Sequence, residues 1–108
     1  MSYKVGTLPK FVKELKRLSK KYPSLKNEYL ELVNSLAENP EQGTALGNHC
    51  YKIRLAIESK RKGKSGGARV ITYIHIAKTS VILLTIFDKS EEDSISDNEI
   101  FKLLKFIP

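Results

Sequence analysis

The chain has 108 residues and a formal net charge of +7, with 41% hydrophobic and 29% charged residues. That length predicts one domain, residues 1–108, and that balance belongs to a folded chain rather than a disordered one. One cysteine excludes an internal disulfide and an all-cysteine metal site, and with two histidines it argues against a zinc finger, so no metal or cofactor is expected.

Ser2–Val5 is short and mixed and reads as a small edge strand. Thr7 can cap a helix, and Pro9 suits its first turn, where the amide has no intrahelical partner. Phe11, Leu15, Leu18 and Tyr22 then recur at helical spacing, with lysines and Arg17 largely on the remaining surface. Pro23 interrupts this helix, and Ser24 can cap a second one whose apolar face is Leu25, Tyr29, Leu32, Val33 and Leu36. Asn39-Pro40 ends it. The short link makes the pair a helical hairpin over about residues 8–38.

From Cys50 the period changes from helical to alternating. Tyr51, Ile53, Leu55 and Ile57 point one way, and Lys52, Arg54, Ala56 and Glu58 the other. Residues 59–67, SKRKGKSGG, form a loop with three glycines and four basic side chains. In the next strand, Ala68–Ala77, Val70, Thr72, Ile74 and Ile76 share one face; Arg69, Ile71, Tyr73 and His75 share the other. Val81–Phe87 is apolar on both faces apart from Thr85, as a covered central strand should be. Its longest apolar run, Val81–Leu84, is far too short to cross a membrane, and the N-terminus lacks the apolar core of a signal peptide. A cytoplasmic protein with no membrane partner is expected. Asp88, Glu91, Glu92 and Asp93 read most plainly as a solvated turn. Ser96 with Glu99 makes a capping box, and Ile95 with Ile100 a hydrophobic staple, for a last helix over about 97–106. The predicted class is α+β: a helical hairpin packed on a small twisted antiparallel sheet, residues about 50–89, with a short C-terminal helix.

Charge is unevenly spread: residues 1–22 carry +6, 23–40 carry −2, 41–80 carry +6 and 81–108 carry −3. Positive fields of this kind attract polyanions. Strand alternation gathers Lys52, Arg54, Arg69 and Tyr73 on one wet face, with Lys62 and Lys64 at its edge and Lys89 arriving from the following strand. Arginine grips phosphate bidentately, lysine acts as a flexible point charge, and a phenol offers a platform for a base. RNA brings its own nucleophile, the 2′-hydroxyl, so such a face can cleave it with no metal. A lysine crowded by other cations sheds its proton more readily and can act as base, while arginine stabilises the developing charge on phosphorus. His75 lies on the same face and can contact substrate, although a hydrogen-bonded structural histidine is the plainer reading for it and for His49. Cys50, Tyr22, Tyr29 and Tyr51 fit apolar patterns as packing residues. KGKSGGAR lacks the spacing of a nucleoside-triphosphate loop. A basic binding face without catalysis remains an alternative on composition alone.

The run YKIRLAI at 51–57, GKSGGARVITYIHI at 63–76, VILLTIFDKSEED at 81–93 and SDNEI at 96–100 resembles the toxins of the RelE/ParE superfamily of type II toxin–antitoxin systems, most closely its HigB-like branch. The resemblance implies a RelE-like microbial RNase fold and a ribosome-dependent mRNA endonuclease. It also implies a cognate antitoxin as partner, with the two proteins in a hetero-oligomer. Arg54, Lys64, Arg69 and Lys89 are the motif-matched positions for the basic active surface; Lys62 and Tyr73 are additions. The superfamily also contains gyrase-directed, ParE-like toxins of the same fold. Phe87 stands where many relatives have tyrosine, and the last segment offers Phe101 and Phe106 but no tyrosine or histidine. If a terminal phenol or imidazole supplies the acid in those relatives, this chain must use Tyr73, His75 or a lysine instead.

Overall fold

The computed structural model describes residues 2–60, 66–92 and 94–107. The elements run β1 (Lys4–Thr7), α1 (Pro9–Lys21), α2 (Leu25–Glu38), β2 (Thr44–Gly47), β3 (Cys50–Leu55), β4 (Ala68–His75), β5 (Ser80–Asp88) and α3 (Asp97–Leu104). They form a five-stranded sheet in the order β1-β5-β4-β3-β2. The expected antiparallel core is β3-β4-β5; β1 adds to the outer edge of β5 in parallel.

The hairpin forms as the apolar spacing requires. Phe11 and Leu18 of α1, with Leu25, Leu32 and Leu36 of α2, are buried against Ile53, Val70, Val81, Leu83 and Ile86. Burying each such side chain stabilises the fold by about 1.5–3 kcal/mol. Two caps differ from expectation. Leu8, not Thr7, is the residue before α1, because Thr7 is taken into β1 and Leu8 N–H donates to the Leu83 carbonyl at 3.0 Å. Ser24 stands at the N-cap of α2 without capping it, since its Oγ donates to Glu28 (Oε1 at 3.1 Å) and accepts from Ser59 N–H (2.9 Å).

The opposite face of the sheet is covered in its middle by α3. Ile71, Leu84 and Phe87 meet Ile100 and Leu103 there, with Leu8 and Cys50 in the same cluster. A bulge makes this possible: the register passes from Ile71↔Thr85 to Thr72↔Leu83, leaving Leu84 without a partner on β4 and turned towards α3. Ser96 caps α3, accepting from Glu99 N–H at 3.2 Å, and Ile95 packs beside Ile100.

β2 is an addition to the expected strands. Only four residues long and mostly exposed, it pairs with β3 through a turn in which Gly47, Asn48 and His49 all have positive φ. Such a strand has too little alternation to register as a pattern. Among the described residues, no helix is long and apolar enough to cross a membrane.

Candidate functional site

Strand register decides which cations meet. Arg54 of β3 lies directly opposite Arg69 of β4, and Arg69 directly opposite Phe87 of β5. Two residues along, Lys52 faces Ile71; two further on, Cys50 faces Tyr73. The residues between them, Ile53 and Val70, are in the hairpin core. Lys52, Arg54, Arg69, Tyr73 and His75 therefore share the face turned away from the hairpin, as strand parity predicts.

That face is less open than expected. Arg54 is exposed and Lys52 half-buried, but Arg69 retains 5% of its surface and Ile71 none. Alternation identifies a face, not what later covers it, and here α3 packs over Ile71. Arg69 Nη1 donates to the Ala68 carbonyl at 3.2 Å. Burial, and secondarily the Arg54 charge, lower the pKa of the Arg69 guanidinium. Like charges directly opposite on a sheet oppose pairing. The fold thus sets two guanidinium-bearing residues directly opposite one another on adjacent strands.

Lys89 follows the last residue of β5, and its N–H donates to the Gly67 carbonyl at 3.0 Å. The end of β5 is thereby fixed to the start of β4, beside Arg69. Gly67 itself has no room for a side chain, since a Cβ there would lie 2.1 Å from the Leu55 carbonyl oxygen. Lys62 and Lys64 lie outside the described residues. Tyr73 is half-buried against the α3 cluster, with its ring edge-on to His75 at 5.9 Å. His75 lies six residues along β4 from Arg69, about 20 Å at strand rise. It is half-buried, and its Nδ1 makes no hydrogen bond among the described residues. The face consequently has a guanidinium end, around Arg54 and Arg69, and an aromatic end, around Tyr73 and His75. An open cleft of about 400 Å³ borders the guanidinium end, lined by Gln42, Gly43, Thr44, Lys52, Ile53 and Arg54.

Behind this face, on the hairpin side, lies a residue that the sequence reading placed in a solvated turn. Asp88 is fully buried. Its Oδ2 accepts from Tyr22 Oη at 2.6 Å, and its Oδ1 accepts from Ser90 N–H (3.0 Å), Ser90 Oγ (2.7 Å) and Lys60 Nζ. Burial alone pushes the carboxyl up, but the bonds from Lys60, Tyr22 and Ser90 outweigh it and hold the pKa well below the carboxylate range. Tyr22 is a packing residue, as expected, but with its hydroxyl on Asp88. Lys60 Nζ also lies 5.5 Å from the centre of its ring. Glu91 is likewise engaged, accepting from Arg17 at 2.8 Å. The acidic run gave no such signal because Tyr22 and Lys60 lie 66 and 28 residues from Asp88 in the chain. Cys50 is the buried small hydrophobe expected, its thiol pushed up to about 11 by burial. No group of three or more metal-ligating side chains occurs among the described residues.

A hairpin-backed sheet with opposed arginines on its other face defines a class of small basic α+β proteins. Comparison with known proteins is specific about which. Residues 10–107 match the family model described as the RelE toxin of the RelE / RelB toxin–antitoxin system, and the chain belongs to that family. Among solved structures, the isolated E. coli RelE toxin is similar at 20% identity and a TM-score of 0.58, with 98% of this chain and 100% of that one covered. A double arginine-to-alanine variant of E. coli RelE in the free state superposes with a TM-score of 0.66 at 18% identity over 100% of both chains. The intact E. coli RelBE toxin–antitoxin complex matches at 23% identity and a TM-score of 0.57, covering 81% of this chain and 96% of that one. These likenesses establish a RelE-like fold.

Proposed function

We propose that this chain is a metal-independent endoribonuclease that cuts ribosome-bound mRNA and is silenced by a cognate antitoxin. The observation that carries the reading is the Arg54–Arg69 pair, opposed on one sheet face. In this reaction the 2′-hydroxyl attacks the adjacent phosphorus and its proton passes to a base. The 5′-oxygen leaves with a proton from an acid, giving a 2′,3′-cyclic phosphate and a 5′-hydroxyl. Arg54 and Arg69 hold the non-bridging oxygens and stabilise the charge that grows on them. Lys52 and Lys62 bind the flanking backbone. Lys64, Tyr73 and Lys89 are the candidates for proton transfer, and His75 contacts RNA farther along the face. Placement in the HigB-like branch rests on the GGAR segment at 66–69 and on Phe87-Asp88-Lys89. Antitoxin binding is supported by the RelBE complex among the similar structures, whose toxin has this fold.

The test is cleavage of message on purified, programmed ribosomes. The wild type is expected to cut, and Arg54→Ala or Arg69→Ala to lower the rate by about a hundredfold or more. Intact message together with inhibited supercoiling by gyrase would overturn the proposal in favour of a gyrase-directed toxin.

A further inference from the structure

Resting on that reading, we propose that Asp88 is a positioning residue: from behind the sheet it holds the strand ends that carry Arg54, Arg69 and Lys89. The register places it. Leu55, Ala68 and Asp88 form one cross-strand row, and Arg54, Arg69 and Phe87 form the next, on the other face. Lys60 ends the 3-10 turn that continues from β3, so its bond to Asp88 ties β3 to β5 across β4. That tie lies one residue from the two guanidiniums, about 3.4 Å along the strands. On the front, Arg54 and Arg69 face each other across the β3–β4 seam, and the Arg54 charge disfavours that of Arg69. On the back, the ammonium–carboxylate pair fastens the end of β3 to β5, and the bond from Lys89 N–H to Gly67 extends the same fastening.

The chemistry of the pair favours this role over a simple contribution to stability. The Lys60 side chain is 7% exposed and the Asp88 side chain 0%. A buried ion pair gives little net stability compared with a well-packed apolar pair, and fixing geometry is the role proposed for this one. Asp88 receives four donors from three separate segments, Tyr22 of the hairpin, Lys60 after β3 and Ser90 after β5. Displacements of about 1 Å at a reacting centre can cost about a hundredfold in rate.

The test compares the wild type with Asp88→Asn and with Asp88→Asn/Lys60→Met, which leaves no lone buried charge and keeps the side-chain volume. The kcat for cutting ribosome-bound message is measured well below each variant's Tm and referred to folded protein. The expected result is a fall in kcat of at least about tenfold in both variants, with KM changed far less. Unchanged kcat beside a lowered Tm overturns the proposal and leaves Asp88 a purely structural anchor. If the wild type cuts no message, the nuclease reading fails, and the positioning claim is then decided by stability. The loss of Tm caused by Asp88→Asn should be smaller in an Arg54→Gln background than in the wild type. Strictly additive losses overturn it.

Discussion

Arg54 is where the proposed function and stability are set against each other in a single side chain. It stands opposite Arg69, whose own burial already disfavours its charge. Arg54→Gln removes the repulsion and should stabilise the protein by about 0.5 kcal/mol, a rise in Tm of a few degrees, while reducing cleavage. A thermal melt and a cleavage assay on the same preparation check both halves. Asp88 makes the converse prediction with acid. Its pKa in the folded protein lies below that of the unfolded chain, near 3.9. Its contribution is therefore fully present above about pH 5 and is lost as the pH falls towards the folded value. The acid limb of Tm against pH should be steeper for the wild type than for Asp88→Asn, which has no charge there to lose. The contrast between the two residues marks what a sequence can show. The partners of Arg54 follow from alternation between neighbouring strands. Those of Asp88 come from three distant segments, and nothing in the spacing of an acidic run announces them.

At the scale of elements, the face of each strand was legible and its covering was not. Period-two alternation correctly assigns Ile53 and Val70 to the hairpin core and Arg54 and Arg69 to the other side. It reads that second side as wet, because only the docking of α3 on Ile71, Leu84 and Phe87 closes it. The start of α3, by contrast, was written locally. Ser96 accepts from Glu99 N–H, and Ile95 sits beside Ile100. Ser96→Ala should cost about 1 kcal/mol, visible as a lower Tm and as faster hydrogen exchange confined first to residues 97–104. The junction before β4 is less forgiving. A methyl at Gly67 would meet the Leu55 carbonyl at 2.1 Å, and the obstacle is backbone that cannot rotate away. Gly67→Ala should therefore separate β3 from β4 at the row next to Arg69, lowering stability by at least about 2 kcal/mol and activity with it.

For the whole molecule the governing quantity is how its charge of +7 is arranged. Part of it is neutralised locally: Arg17 pairs with Glu14 and Glu91, and Lys60 with Asp88. These pairs lie with α1 and the back of the sheet, so they remove little from the face that carries Lys52, Arg54 and Arg69. The sheet thus separates a hairpin side, where Arg17 and Lys60 are paired with carboxylates, from a side where Arg54 and Arg69 stand in register. On the reading proposed above, this surface would bind single-stranded RNA mainly through displaced counterions, and affinity should fall steeply with salt. If each of Lys52, Arg54, Arg69 and Lys89 takes one phosphate, the slope of log K against log salt should be about −3, or roughly a 50-fold loss between 50 and 200 mM. Arg54→Gln should reduce that slope by about 0.7, whereas Arg17→Gln, on the far side and already paired to carboxylates, should leave it unchanged. Anisotropy titrations of a labelled RNA at several salt concentrations separate the two. Equal effects from both variants would mean that RNA follows the total charge and not this face.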